Sequence, residues 1–171
     1  MKRVIVIGSG GAGKSTFSRR LGEITRLPVI HLDRLFWRSG WVPTPKEEWK
    51  ERVSREIERP EWIMDGNFGG TREMRMAAAD TIIRLDLSRW LCIYRILKRT
   101  LLYRPGSRSD MAEGCHERLD MEFILWVWNY PRRSRKNALA EMEKFSEKDI
   151  IILKTPREVE QFLQRLSSEH T

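Results

Sequence analysis

Val4-Ile5-Val6-Ile7-Gly8-Ser9-Gly10-Gly11-Ala12-Gly13-Lys14-Ser15-Thr16 is the stretch on which the reading of this chain turns. Four apolar β-formers run straight into a complete GxxxxGK[ST] sequence, Gly8 to Ser15, and helix-compatible residues follow from near Lys14. Strand, glycine-rich turn and helix in that order form a cradle for phosphates. The backbone N–H groups of Gly8, Gly10, Gly11, Ala12 and Gly13, with the start of the helix, point at an anion; Lys14 reaches the β- and γ-oxygens; Ser15 supplies a hydroxyl for Mg2+; Thr16 closes the run. A chance match to the same spacing occurs in roughly one chain of this length in two hundred, and the flanking strand and helix lower that further. The expected ligand is therefore ATP or another nucleoside triphosphate, with Mg2+.

Working outward, Val29–Leu32, Trp62–Met64, Ile82–Leu85 and Ile150–Leu153 repeat the short, β-rich character of Val4–Ile7. Runs apolar at nearly every position suit strands covered on both faces. Between them lie helical spacings: Trp49, Val53 and Ile57; Trp90, Ile93, Tyr94, Leu97 and Leu101; Val159, Phe162, Leu163 and Leu166. Thr44-Pro45-Lys46-Glu47 and Thr155-Pro156-Arg157-Glu158 each read as a helix start, with a capping threonine, proline at the first position and glutamate at the third. Strand and helix alternate throughout, so the expectation is an α/β fold with a parallel sheet, helices on both faces and a ligand beyond the carboxyl ends of the strands.

Functional side chains should then follow strands. Asp33 comes after the second apolar run and Asp65 after the third. Asp65 is the candidate Mg2+ carboxylate beside Ser15, and Asp33 the candidate to orient or deprotonate an acceptor hydroxyl. Asp86, with Ser88 behind it, reads as a helix cap. Arg95 and Arg99 share one helix face, and Arg104, Arg108, Arg118, Arg132, Arg133 and Arg135 continue the positive charge through a turn-rich interruption at Arg104–Asp110. That pattern suits a lid, about 99–135, whose guanidinium groups meet a migrating phosphoryl group. Most of the seven tryptophans are expected in the core; Trp37 and Trp41, placed just after Asp33, are the exceptions that suit an acceptor pocket.

At 171 residues, 40% apolar, the chain is expected to form one domain, residues 1–171. No stretch approaches the roughly 20 apolar residues of a membrane span, and two cysteines without a CxxC pair suggest neither a disulfide framework nor zinc. A cytoplasmic protein, monomer or homodimer, is the expectation. The net charge of +8 calls for an anionic partner, which nucleotide phosphates, nucleic acid and an acidic membrane surface all satisfy.

With these residues in view, the chain resembles the nucleotide-kinase branch of P-loop proteins, of the adenylate-kinase and shikimate-kinase type, over its full length. Asp65-Gly66 looks like that family's Asp-Gly after the third strand, Arg95 to Arg99 like the arginine pair opening its lid, and Thr155-Pro156 like the final loop beside the base. The resemblance implies a three-layer α/β/α fold with a five-stranded parallel sheet in order 2-3-1-4-5. It also implies catalysis by Lys14, Asp33, Asp65 and Arg99, and nucleotide contact by Arg95, Arg99, Thr155 and Pro156. The acceptor would lie among Asp33, Arg34, Trp37, Gly66, Asn67, Arg72 and Arg132. More narrowly, His31-Leu32-Asp33, Asp65-Gly66-Asn67-Phe68-Gly69-Gly70, Asp110 to Cys115 and Trp126 to Pro131 resemble bacterial proteins labelled FlaR-type DNA topology modulation proteins.

Two positions depart from the adenylate-kinase pattern. Phe36 and Gly69 stand where that family grips the acceptor's phosphate with arginine. Either Arg34, Arg38, Arg72 or Arg75 compensates from neighbouring turns, or the acceptor offers a hydroxyl without a phosphate. The leading expectation is an ATP-dependent phosphotransferase acting on a small-molecule acceptor; the alternative is a nucleotide-regulated nucleic-acid-binding protein affecting DNA topology. No helix-turn-helix, zinc finger or basic arm supports the latter.

Overall fold

In the computed structural model, residues 1–102, 114, 115 and 120–169 are described, with the backbone alone at 132–134. β1 (Arg3–Gly8), β2 (Val29–His31), β5 (Trp62–Asp65), β6 (Thr81–Leu85) and β7 (Asp149–Leu153) are the five apolar runs of the sequence, and they form one sheet in the order β2-β5-β1-β6-β7. Every pairing in it is parallel. Counted among sheet strands only, that order is 2-3-1-4-5.

The strands are apolar at successive positions because both faces are covered. Val4, Val6, Ile63, Ile83 and Leu85 pack with α1 (Lys14–Thr25) and α7 (Pro156–Glu169) through Phe17, Leu21, Phe162, Leu163 and Leu166, and with α5 (Arg89–Leu101) through Cys92 and Ile96. The alternate residues Ile5, Ile7, Met64 and Ile82 pack on the other face with Met76 of α4 (Gly69–Ala78) and with Ala138 and Met142 of α6 (Met121–Glu143). A third, smaller cluster gathers Leu32, Trp49 and Val53 under α2 (Leu32–Phe36) and α3 (Lys46–Ile57).

Between α2 and α3 a two-stranded hairpin, β3 (Trp37–Arg38) and β4 (Val42–Pro43), replaces the expected loop after Asp33. Gly114 and Cys115 dock on it: the Gly40 N–H donates to the Gly114 carbonyl, and the Cys115 thiol to that of Arg38. The rest of the expected lid, including Arg104, Arg108 and Arg118 and the side chains of Arg132 and Arg133, lies outside the described residues.

Three expectations are corrected here. Thr155 caps α7 as read, accepting the Glu158 N–H at 3.1 Å, but Thr44 does not cap α3. Its hydroxyl is drawn to the Phe36 carbonyl at 2.6 Å, because the hairpin carries that carbonyl back beside the helix start. Asp86 caps nothing: Arg84 and Arg135 hold its two oxygens at 3.1 and 2.7 Å. The tryptophans are mostly not core; Trp49 and Trp62 are buried, whereas Trp90 and Trp126 are exposed, Trp90 edge-on to Trp128 and Trp126 at the rim of a cavity beside Phe123.

Candidate active site

The chain leaves β1 toward β2 and β5 on one side and later crosses to β6 and β7 on the other, so a crevice opens at the carboxyl end of β1. There a cavity of about 890 Å³ is floored by Gly10, Gly11, Ala12, Gly13, Lys14, Ser15 and Thr16. Gly11 and Gly13 hold φ of 74° and 89°, the left-handed region that turns peptide N–H groups inward and that side chains resist. The loop is also tightly walled: a Cβ on Gly10 would meet the Phe123 ring at 2.6 Å, and one on Gly8 the Leu85 carbonyl oxygen at 2.5 Å.

Lys14 lies along this loop, its ammonium donating to the Gly8 and Ser9 carbonyls at 3.1 and 3.0 Å. Burial pushes its pKa below the ordinary lysine value, Asp33 and Asp65 pull it back up, and Arg99 lowers it. A phosphate would offer the ammonium better acceptors than neutral carbonyls. Arg95 and Arg99 of α5 line the same cavity, and the Arg95 guanidinium donates to the Ala12 carbonyl at 3.2 Å. At one rim Pro156, Val159 and Leu163 of α7 face α1, where Arg20 grips Glu160 through two bonds of 2.7 and 2.8 Å. That rim is apolar on its α7 side apart from Glu160, with Thr155 serving as the cap of the helix behind it.

Asp33 and Trp37 line the opposite wall, joined by Trp41 and Phe68. Asp65 is deeper, 2% exposed, and accepts a 2.8 Å hydrogen bond at Oδ2 from His31 Nδ1. The pairing follows from the register, in which His31 and Asp65 are direct partners of β2 and β5. His31 was not singled out as a site residue, because strand register is not legible in one sequence.

Asn67 lines the cavity and also braces the loop. Its side-chain amide donates to the Gly8 carbonyl at 2.7 Å and its oxygen accepts the Gly8 N–H at 3.2 Å, so it clasps the phosphate loop to the turn after β5. Gly66, at φ 135°, leaves room for that turn: a Cβ there would meet Leu32 at 2.9 Å.

None of the four arginines considered as phosphate grips lines the cavity. Arg72 is buried in an ion pair with Glu141 through bonds of 2.5 and 2.7 Å, Arg38 is bound to Glu48, and Arg34 is exposed outside the cavity lining. Arg75 is fully buried and donates to the Gly66, Asn67 and Phe68 carbonyls, desolvation and the neighbouring Arg72 pushing its pKa down to about 9. Phe36 packs instead against Trp37 and Phe68, each ring centroid 4.8 Å away. The Arg132 side chain lies outside the described residues.

The oxygens near the loop, Ser15 hydroxyl with the Asp33 and Asp65 carboxylates, are the hard donors Mg2+ prefers. Among the described residues no cluster of three His, Cys, Asp or Glu side chains could hold a metal ion. No described helix is long and apolar enough to cross a membrane.

Profiles of known protein families find no match in this chain, and curated proteins find none either. Solved structures do. A shikimate kinase from Bacteroides thetaiotaomicron is 16% identical, covering 98% of this chain and 97% of its own, with a TM-score of 0.56. A shikimate kinase from Acinetobacter baumannii in complex with shikimate is 12% identical, covering 97% and 90%, with a TM-score of 0.64. A gluconokinase from Sinorhizobium meliloti 1021 is 15% identical, covering 98% and 94%, with a TM-score of 0.55. What the chain shares with these proteins is the fold: a five-stranded parallel sheet between helices, with a phosphate loop after its first strand.

Proposed function

We propose that the protein is an ATP-dependent phosphotransferase that moves a phosphoryl group from magnesium-ATP to a small acceptor. The observation that carries this reading is the cavity itself, in which Gly10 to Ser15 of the phosphate loop face Asp33 across one shared space with Arg95 and Arg99. The loop amides and the start of α1 bind the β-phosphate, and the Lys14 ammonium moves from its carbonyl partners to the γ-phosphate. Ser15, with Asp65 nearby, would hold Mg2+, which would supply neutralisation of the phosphates' charge. His31 fixes one Asp65 oxygen, leaving the other to the metal shell. Arg99 stabilises the migrating group, Asp33 takes the proton of the attacking hydroxyl, and the rim at Pro156 holds the base. The three solved kinases of this fold act in the same direction, as does the resemblance in sequence.

The test is ADP release stimulated by an acceptor, with Lys14→Ala as control. Removing the ammonium should weaken ATP binding at least about 100-fold, the loss of a hydrogen-bonded charge pair of about 3 kcal/mol. Unchanged ATP affinity by calorimetry would refute the reading.

A second reading, nucleic-acid binding, is favoured by one feature. Trp90 and Tyr94 on α5 are 65% and 59% exposed, and the same helix carries Arg89, Lys98 and no acid. Exposed rings among cations form a platform on which bases stack. DNA affinity that falls steeply with salt and is lost in Trp90→Ala would establish it; salt-insensitive or absent binding would remove it.

A further inference from the structure

The cavity divides by chemistry. Three of its cations gather at the phosphate loop, Lys14 on the Gly8 and Ser9 carbonyls, Arg95 on that of Ala12, and Arg99 close enough to Lys14 to lower its pKa, and Arg19 and Arg20 of α1 complete the cationic lining, Arg20 held by Glu160. The wall around Asp33 is made of rings instead. Trp37 and Trp41 meet edge to face with centroids 5.4 Å apart, and Phe68 joins them from the turn after β5. Phe36 and Trp49 support these rings, Phe36 on Trp37 and both on Phe68, at centroid distances of 4.8 to 4.9 Å.

The backbone supplies independent support. Among the described residues three non-glycines have positive φ, and two of them are Trp41 at 63° and Phe68 at 30°. Bulky side chains avoid this region, so the surrounding structure must hold them there, and such outliers concentrate at ligand sites. Both carry rings of the same wall.

Of the described arginines nearby, Arg34 is exposed outside the cavity lining and the others are engaged elsewhere. Glu48 holds Arg38 and Arg52, Glu141 holds Arg72, and Arg75 is turned to three backbone carbonyls. A phosphate or carboxylate on the acceptor would meet aromatic surface and the Asp33 carboxylate. An ammonium would have to compete for Asp33 with Lys14, on which that carboxylate already acts. A flat, uncharged heteroaromatic ring meets neither obstacle, and it gains by stacking on each ring of the wall. At about 890 Å³ the cavity stands near the top of the 300–1,000 Å³ range typical of small-molecule sites, which leaves room for a second ring-sized molecule beside a nucleotide.

From this we infer that the acceptor is nucleoside-like: a flat heteroaromatic ring carrying a hydroxyl and no phosphate or carboxylate. The ring stacks among Trp37, Trp41 and Phe68, and the hydroxyl reaches Asp33. The inference rests on the phosphotransferase reading. In the transfer, the acceptor oxygen bonds to the γ-phosphorus as the bond from that phosphorus to the β–γ bridging oxygen breaks. The acceptor proton passes to Asp33, and ADP departs with the bridging oxygen.

The experiment measures ADP release by the full chain with magnesium-ATP. It compares purine and pyrimidine nucleosides, their 5′-monophosphates, shikimate, gluconate, and the amino alcohols ethanolamine and choline. At least one nucleoside should be turned over, with its monophosphate and both acids at background. Trp37→Leu should raise the nucleoside KM about tenfold, the loss of one stacking contact, while ATP affinity by calorimetry changes far less. The conservative Trp41→Phe, with its melting temperature recorded, separates a lost contact from a lost fold and should raise KM less than Trp37→Leu. Turnover of a monophosphate, an acid or an amino alcohol with nucleosides silent would overturn the inference while leaving the phosphotransferase reading standing. Silence across the whole panel from protein that binds ATP would overturn both.

Discussion

Asn67 and Gly8 exchange two hydrogen bonds across the floor of the cavity, so one amide side chain holds the phosphate loop to the acceptor-side turn. In Asn67→Ala the Gly8 N–H loses its side-chain acceptor and the Gly8 carbonyl keeps only the Lys14 ammonium, so ATP Kd should rise about tenfold, equivalent to about 1.4 kcal/mol, by calorimetry. Asn67→Asp should be worse, because it keeps an acceptor for the Gly8 N–H but sets a carboxylate against the Gly8 carbonyl and toward the incoming phosphates. The position of Asn67 after an Asp-Gly pair was visible in the sequence, and its task was not. An amide can bind a substrate or a backbone with equal ease, and only the distance to Gly8 decides. Arg72 teaches the same lesson, since an arginine near a phosphate site reads as a ligand until Glu141, 69 positions away, is found holding it.

That ion pair ties α4 to α6, and its guanidinium is 6% exposed. Glu141→Gln strips the partner from a nearly buried cation and should cost about 3 kcal/mol, lowering the melting temperature by about 6–12 °C. ATP affinity should stay near that of the parent protein, which separates this scaffold role from the substrate-binding one expected of Arg72. The cap of α7 is a smaller matter: Thr155→Ala removes the acceptor of the Glu158 N–H and should cost about 1 kcal/mol, some 2–4 °C by calorimetry. The two Thr-Pro-x-Glu starts are identical in pattern, yet only one behaves as read. The β3–β4 hairpin brings the Phe36 carbonyl to Thr44, a competing acceptor that no local rule foresees.

Asp80 shows how the amino-terminal ends of the neighbouring strands β1 and β6 are held together across 77 positions of the chain. Burial pushes its carboxyl up, but hydrogen bonds from the Thr81 hydroxyl and from the Arg3 and Lys2 amides outweigh it and hold the pKa below the ordinary value. A carboxylate with a depressed native pKa lends stability that is complete above its unfolded value and lost as the pH falls through the native one. Acid melts should therefore show the parent losing stability below about pH 4, and Asp80→Asn, about 1 kcal/mol less stable at neutral pH, losing correspondingly less there.

Periodicity and glycine spacing in the sequence determined the five strands, their parallel arrangement, the phosphate loop and the placing of Asp33 and Asp65 near strand ends, Asp65 proving to be the last residue of β5 itself. Those features are local: a strand covered on both faces must be apolar throughout, and a backbone that curls around an anion must be rich in glycine. Tertiary structure alone decided that His31 meets Asp65, that Asn67 clasps Gly8, that Glu48 and Glu141 occupy arginines which read as free, and that Trp41 and Phe68 join Trp37 in one wall. These are contacts between segments whose approach depends on strand register and on which of several partners comes within hydrogen-bond reach, and no spacing along the chain encodes that distance.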